Sequence, residues 1–354
     1  MKKIILTGGG SAGHVTPNIA LSKVLLENNW EIDYIGSVDG IEKNIVEEAK
    51  ISYHTISSGK LRRYFSIQNF KDPFKVIKGI SDANALIKKL KPDVIFSKGG
   101  FVTAPVIIAG SLNKIPVIIH ESDYTPGLAN KISIPFAKKV CVSFPETLKH
   151  IPPEKGIYTG APIRKEIILG SKEKGLEFCN FSNEKPVLLV MGGSLGSQVL
   201  NKNIRGILKR IIDKFQIIHI CGKGLKDDSL INIENYKQFE FVGKELADLF
   251  ACTDLFVSRA GSNAIFEFLA LKKPNLLIPL SKKASRGDQI LNAKSFEKQG
   301  FSKVLYEEDL DEDLLYNFIN TLYKDKQKYI DKMNDFSIKD SISEIYNIIL
   351  GSVK

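Results

Sequence analysis

The residues best able to do chemistry in this chain cluster around glycine. Gly8, Gly9, Gly10 and Gly13 follow the apolar run Ile4-Ile5-Leu6 and precede a helical stretch that opens at residues 18–26. A strand, a glycine turn and a helix N-terminus together collect anions, because the backbone approaches closely and its amides and the helix dipole favour negative charge. Diphosphate is the usual guest. His14 directly follows the last glycine, where an imidazole would point at the bound group and act as a base. Two plainer readings stand beside this one. Gly8, Gly10 and Gly13 spell G-x-G-x-x-G, a dinucleotide fingerprint that is weak alone, and a histidine so placed also serves as a helix cap.

The same architecture recurs. The apolar stretch 93–96 runs into Ser97-Lys98-Gly99-Gly100-Phe101, a second glycine turn that should border the same crevice, since ligands of open α/β sheets gather at strand C-termini. Strand 116–121 ends in His120-Glu121, a polar pair that is either site or cap. After a charged stretch at 170–185, strand 186–191 leads into Gly192-Gly193-Ser194-Leu195-Gly196-Ser197 and a helix from Gln198. Further strands are expected at 31–35, 51–56, 215–220, 239–242, 254–258 and 276–279, with Arg259-Ala260-Gly261-Ser262 at another strand end and helices at 263–271 and 341–349, while 139–142 and 158–164 close the first half. The chain thus reads as two nucleotide-fold halves in tandem, an α/β protein.

Composition narrows the classes. At 354 residues the chain can hold two separate cores. No apolar run reaches the roughly 18–20 residues of a membrane span, and the start does not resemble a signal peptide, so a cytoplasmic protein is expected. Cys141, Cys179, Cys221 and Cys252 have no C-x-x-C spacing and read as core thiols. His219, inside an apolar strand, reads as a packed core residue, and His54 as a strand side chain. The net charge of +10 suits anionic partners. In segment 60–78, Lys60, Arg62, Arg63, Lys71, Lys75 and Lys78 face one acid, Asp72, and interleave with Tyr64, Phe65, Phe70 and Phe74. Such a pattern fits contact with an anionic membrane surface. Asp309-Leu310-Asp311 and Asp311-Glu312-Asp313 match D-x-D, the mark of a metal-dependent sugar transferase, but they begin a helix and read as capping acids. No metal and no cofactor are expected.

The Thr7–Pro17 motif, Lys98-Gly99-Gly100-Phe101, the stretch 120–131, Tyr158-Thr159-Gly160-Ala161-Pro162-Ile163-Arg164, Gly192-Gly193-Ser194-Leu195-Gly196 and the stretch 259–267 together resemble the MurG family, essentially end to end and in the family's order. The resemblance implies a GT-B fold of two Rossmann-like domains facing a cleft. Residues 1–162 would form the acceptor and membrane domain, 163–335 the UDP-GlcNAc domain, and helix 336–354 would pack back on the first. It implies an inverting, metal-independent transfer of GlcNAc from UDP-GlcNAc to the 4-hydroxyl of MurNAc in lipid I, giving lipid II, at the cytoplasmic face of the cell membrane. His14 would be the base. Ser11, Ala12, Gly13, Asp123, Arg164, Ser194, Val242, Glu267 and Gln289 would bind UDP-GlcNAc: Arg164 and Ser194 the diphosphate, Glu267 the ribose, Gln289 the sugar, and Val242 uracil through its backbone. Gly10, Gly99, Gly100 and Glu121 would belong to the acceptor and diphosphate loops. Three positions depart from the family: Phe101 stands where some members carry Tyr, Asp123 where some carry Asn, and Ala161 where Asn is frequent.

Three rivals compete with this reading. A UDP-GlcNAc 2-epimerase shares the twin-Rossmann plan but needs acidic catalytic groups and has no use for the basic, aromatic segment. An NAD-dependent dehydrogenase wants an acid at the end of its second strand, which here ends Ile35-Gly36-Ser37 with Asp39 only nearby. A lipid- or nucleic-acid-binding protein would use the positive charge but leaves the glycine loops unexplained, and no nucleic-acid partner is expected.

Overall fold

The computed structural model describes residues 1–59, 72–193 and 195–353. Residues 60–71 of the basic, aromatic segment and Ser194 of the third glycine loop lie outside them. The described residues form two compact units, Met1–Ile163 with Lys339–Lys354, and Arg164–Ile338.

The first unit alternates strand and helix: β1 (Lys2–Thr7), α1 (Ala12–Glu27), β2 (Trp30–Ser37), α2 (Ile41–Glu48), β3 (Ser52–Ile56), α3 (Asp72–Leu90), β4 (Val94–Ser97), α4 (Thr103–Leu112), β5 (Val117–Glu121), α5 (Leu128–Ser133), β6 (Lys139–Val142) and β7 (Gly156–Tyr158). The second continues with α6 (Lys165–Ile168), α7 (Lys172–Cys179), β8 (Val187–Met191), α8 (Gln198–Gly206), α9 (Leu208–Ile211), β9 (Gln216–Ile220), β10 (Tyr236–Phe239), α10 (Leu246–Cys252), β11 (Leu255–Ser258), α11 (Ser262–Ala270), β12 (Asn275–Leu277), α12 (Asp288–Lys298), β13 (Lys303–Val304), α13 (Glu312–Lys324) and α14 (Lys326–Asn334). The chain then returns to the first unit as α15 (Ser341–Leu350).

Each unit is built on a parallel sheet, in the order β3-β2-β1-β4-β5-β6-β7 in the first and β10-β9-β8-β11-β12-β13 in the second. The order reverses beside β1 in one and beside β8 in the other. Those are the switch points where the loops after neighbouring strands splay apart and leave a crevice. The glycine loops follow β1 and β4 in the first unit and β8 in the second, so topology alone brings them to the crevices.

The strands are near-continuous apolar runs because both sheet faces are covered. On β1, Ile4 and Leu6 enter the core shared with α1, whereas Ile5 enters the core on the opposite face. Val94 and Phe96 of β4 side with Ile4, and Ile95 with Ile5, as a two-residue period requires. In the second unit Leu188 and Val190 of β8 pack in one core with Leu315, Ile319 and Leu322, a helical stripe on α13. All four cysteines are buried thiols. His219 is also buried, with its ring nitrogens on Tyr236 Oη (2.8 Å) and Asn201 Oδ1 (3.0 Å). Asp311 is the N-cap of α13 and accepts from the Leu314 amide at 2.8 Å, as the capping reading expects.

Two elements differ from the sequence reading. The helix expected from residue 18 starts instead at Ala12 and carries Pro17 inside it. At this position the proline forfeits one intrahelical bond, the one an N–H would make to Gly13 O, and the helix continues through it. The strand expected at 239–242 lies instead at Tyr236–Phe239. Its partner β9 ends at Ile220, which pairs with Phe239, and Gly222 beyond it turns the chain away at φ +99°. Phe241 is consequently 78% exposed in a loop.

Helix α15 is the first unit's last layer. Asp340 caps it by accepting from the Ser343 amide, and Ile342, Ile345 and Ile349 enter the β1–α1 core. Each such side chain stabilises the unit by roughly 1.5–3 kcal/mol through burial. Replacing Ile345 by Ala should therefore cost about 2–5 kcal/mol in urea unfolding. A loss below about 0.5 kcal/mol would mean that the helix is not part of the unit's core.

Candidate active site

The site of the first unit is assembled where β1 and β4 end. Its two glycine turns lie against each other: the Gly9 amide donates to Gly99 O at 3.2 Å. Gly100 sits at φ +99°, and a Cβ there would stand 2.1 Å from Gly9 O, so the contact requires glycine. The first turn is propped from below by buried polar side chains. Tyr34 Oη donates to Gly8 O (2.8 Å), and Asn18 Nδ2 donates to Thr7 O (3.1 Å) and Tyr34 Oη (3.2 Å). Glu42, the second residue of α2, is 0% exposed. One of its carboxylate oxygens accepts from Ser37 N (3.1 Å) and Ser37 Oγ (2.5 Å), the other from the Gly10 amide (3.2 Å).

His14 falls in the first turn of α1, its amide donating to Ser11 O at 3.1 Å. Its Nδ1 lies 3.1 Å from Gly9 O and 3.1 Å from Ser11 Oγ. A carbonyl only accepts, so this network assigns the proton to Nδ1 and the lone pair to Nε2. Ser11, Ala12 and Gly13 form the same N-terminal turn, where helix amides point outward before intrahelical acceptors begin. The N-cap of α1 is Ser11, and His14 lies inside the helix with its ring bonded back to Gly9 O and Ser11 Oγ, so the helix-cap reading does not describe it.

The next loop, after β5, is tied to this pair. A Cβ at Gly99 would reach the side chain of Asn130 at 3.4 Å, and Asn130 Nδ2 donates to Glu121 at 2.8 Å. Glu121 also accepts from the amides of Asp123 (2.9 Å) and Gly127 (2.9 Å). Both carboxylate oxygens are thus engaged by the residue's own loop, and at this strand end the cap reading holds for Glu121. Burial pushes its carboxyl up, and the charge of Asp123 adds to the shift. Asp123 is half-buried, its carbonyl bonded by Thr147 Oγ1 at 3.2 Å. Lys98, 1% exposed, donates to Ser122 Oγ. Burial pulls its ammonium down, opposed by Glu121 and Asp123. His120 is buried with Nε2 3.3 Å from Gly160 O, and burial followed by the Lys98 charge holds it well below the usual imidazole range, hence neutral.

In the second unit the loop after β8 leads into α8, capped by Ser197 Oγ, which accepts from Leu200 N (3.3 Å) and from Arg259 Nη2 (2.7 Å). Arg259 Nη1 donates to Ile278 O (3.1 Å), so a buried guanidinium links β11, β12 and the glycine loop. Arg164 and Glu267, predicted as separate binders of diphosphate and ribose, are brought together: Arg164 Nε and Nη2 donate to one carboxylate oxygen of Glu267 at 3.0 and 2.8 Å. Burial pushes the Glu267 carboxyl up while Arg164 pulls it down. Gln289 Oε1 accepts from Leu280 N at 3.0 Å, so the group it can offer a ligand is its amide NH2. Val242 is buried beside the exposed Phe241.

Among the neighbours that hold these loops, Lys98, Asn130 and Arg259 stand in motifs singled out from the sequence but were given no role there, and Glu42 was not singled out at all. One signal existed for Glu42, an acid close after a strand-two end that lacks its own.

Comparison with known proteins fits this arrangement. The sequence profile of the glycosyltransferase family 28 N-terminal domain matches residues 4–142, and that of its C-terminal domain residues 187–345. A Clostridium novyi (strain NT) protein named UDP-N-acetylglucosamine–N-acetylmuramyl-(pentapeptide) pyrophosphoryl-undecaprenol N-acetylglucosamine transferase is 60% identical over 348 residues, 98% of each chain. A Bacillus cereus (strain ATCC 14579) protein of the same name, numbered 2, is 58% identical over 345 residues, again 98% of each. Among solved structures, Acinetobacter baumannii MurG superposes with a TM-score of 0.77 at 24% identity, covering 99% of this chain and 100% of that one. A UDP-GlcNAc 2-epimerase from Neisseria meningitidis reaches 0.71 at 15% identity, covering 99% and 100%, a likeness of fold alone. Both sheets, both domain profiles and the near-full-length identity agree: the chain belongs to glycosyltransferase family 28 and, within it, to the MurG family of N-acetylglucosamine transferases.

Proposed function

We propose that this chain transfers GlcNAc from UDP-GlcNAc to the 4-hydroxyl of the MurNAc in lipid I, with inversion at the sugar's C1. The observation that carries the reading is the Nδ1 bond of His14 to Gly9 O, which leaves the basic Nε2 in the first turn of a helix at the glycine crevice. The acceptor oxygen forms a bond to C1 as the bond from C1 to the diphosphate breaks. The hydroxyl proton passes to His14 Nε2, and the electron pair leaves with UDP. A single displacement of this kind inverts the configuration.

On the donor side Arg164 and the N-terminus of α8, with Ser194, would receive the diphosphate charge that grows as the bond breaks. Glu267, held by Arg164, would take the ribose hydroxyls, Gln289 NH2 a sugar hydroxyl, and the backbone at Val242 the uracil. Ser11, Ala12, Gly13 and Asp123 would meet the transferred sugar. The Gly10 and Gly99–Gly100 turns, with the loop closed by Glu121, would line the acceptor.

The acceptor's lipid tail calls for a membrane-facing surface. On α3, Phe74 is 73% and Ile77 65% exposed beside the exposed Lys75 and Lys78, the composition of an interfacial contact with anionic lipid. No helix among the described residues is long and apolar enough to cross a membrane. Together these features support peripheral docking, on the face where nucleotide sugars are available.

The decisive assay incubates UDP-GlcNAc with a short-chain lipid I analogue, with and without chelator. Transfer in both arms supports the reading, whereas release of ManNAc without acceptor would favour a 2-epimerase. Replacing His14 by Ala should lower kcat about 10²–10⁴-fold while UDP binding is kept, and near-normal turnover would remove it as the base. Arg164→Met should raise the KM for UDP-GlcNAc roughly tenfold or more, since it deletes a charge-assisted contact; an unchanged KM would take Arg164 out of the donor site. Charge reversal of Lys75 and Lys78 with Phe74→Ser should reduce sedimentation with anionic vesicles and leave transfer to a water-soluble acceptor intact. Undiminished vesicle binding would exclude this surface.

A further inference from the structure

Glu42 and His14 grip one and the same peptide group. The Gly10 N–H donates to Glu42 Oε2 at 3.2 Å, and the Gly9 C=O, its partner across that planar amide, accepts from His14 Nδ1 at 3.1 Å. The two ends of a trans peptide point in opposite directions, so carboxylate, peptide and imidazole form a continuous hydrogen-bonded line. From this we infer that Glu42 is a positioning residue for the reaction proposed above, raising the basicity of His14 through the interposed Gly9–Gly10 peptide.

The physical basis is polarisation. A carboxylate on the N–H side draws the amide dipole toward it and increases the negative charge on the carbonyl oxygen, and each bond in such a chain strengthens its neighbour by about 10–30%. The stronger acceptor at Nδ1–H stabilises the imidazolium that forms when Nε2 takes the acceptor's proton. This is the logic of an Asp–His pair in a hydrolase triad with one peptide inserted. No proton travels through the peptide; its N–H and the imidazole N–H both stay intact. The carbonyl fixes the tautomer by itself, so Glu42 acts on basicity and loop position alone.

The surroundings suit the role. Glu42 is fully buried, and Ser37 holds its other oxygen through two donors, so the carboxylate has a defined place. The titratable groups facing it are the phenols of Tyr34 on β2 and Tyr53 on β3. Burial pushes both far above the ordinary phenol range, with the charge of Glu42 adding to the shift, so neither competes as an anion. Their hydroxyls donate to Gly8 O and Ser37 O, bracing the same turn. A carboxylate on the Gly10 amide also means that this N–H is already taken, and an incoming phosphate must rely on amides further along the turn.

The test is ¹⁵N NMR of histidine-labelled full-length protein, which has five histidines, with His14→Gln identifying the His14 signals. In Glu42→Gln the His14 titration midpoint should fall by about half a pH unit, and the Nδ1–H tautomer should persist. Glu42→Asp, which keeps the charge, should restore part of that fall. The acid limb of the kcat profile for transfer to the lipid I analogue should move with the NMR midpoint, with a 3–10-fold loss of kcat, roughly, and an unchanged KM for UDP-GlcNAc. A purely structural Glu42 would lower thermal stability in both variants and leave the His14 midpoint where it was, and that result overturns the inference. If the midpoint falls but the parent enzyme transfers nothing to lipid I, the relay stands and the proposed function fails.

Discussion

The peptide between Gly9 and Gly10 is pinned from two sides, by a carboxylate on its N–H and an imidazole on its C=O, while the Gly9 amide reaches across to the turn after β4. That restraint decides what the switch point of the first sheet can do. A glycine turn free to flex would hold an anion in many geometries. Here Tyr34, Asn18 and Glu42 give the turn a single shape from beneath, and the shape in turn fixes which nitrogen of His14 is basic. The need for room also explains the glycines: a side chain at position 100 would collide with the Gly9 carbonyl.

The two crevices solve different electrostatic problems. In the second unit, Arg164 and Arg259 are compensated by buried or half-buried carboxylates before any ligand arrives. A buried guanidinium left alone would be expensive, and its pairing with Glu307 removes that cost for Arg259. In the first unit the bias runs the other way. Glu42 and Glu121 place carboxylates under the glycine turns and the loop after β5, and Lys98 balances the second of them from within the fold; on the function proposed above, these loops would face the acceptor hydroxyl. A base needs a site that tolerates its conjugate acid, and a leaving diphosphate needs the reverse.

Much of the fold was legible because its signals are local. Apolar runs such as Val187–Met191 and glycine turns after them need no partner to be recognised, and Asp311 could be read as a cap from its place ahead of a helical stripe. What escaped depends on contacts distant in sequence. Glu42 reaches Gly10 across 32 residues, and its helix position suggests an ordinary first-turn acid. The burial of Lys98 and the pairing of Arg164 with Glu267 across 103 residues are likewise products of the sheet order. The position of β10 was misjudged because its end is set by where β9 stops, and the start of α1 because the glycine turn itself runs straight into the helix at Ala12. The candidate site residues were named by type and motif, whereas the partners that hold them emerge only from the geometry.

The claim at the centre of this account is a direct displacement in which a protein base, and no protein nucleophile, serves the acceptor. Proton NMR of the disaccharide made from the α-configured donor tests it most directly. A large anomeric coupling on the new GlcNAc, the mark of a β linkage, is the predicted result. A small coupling, showing that configuration was retained, would contradict the single-step mechanism and the part assigned to His14.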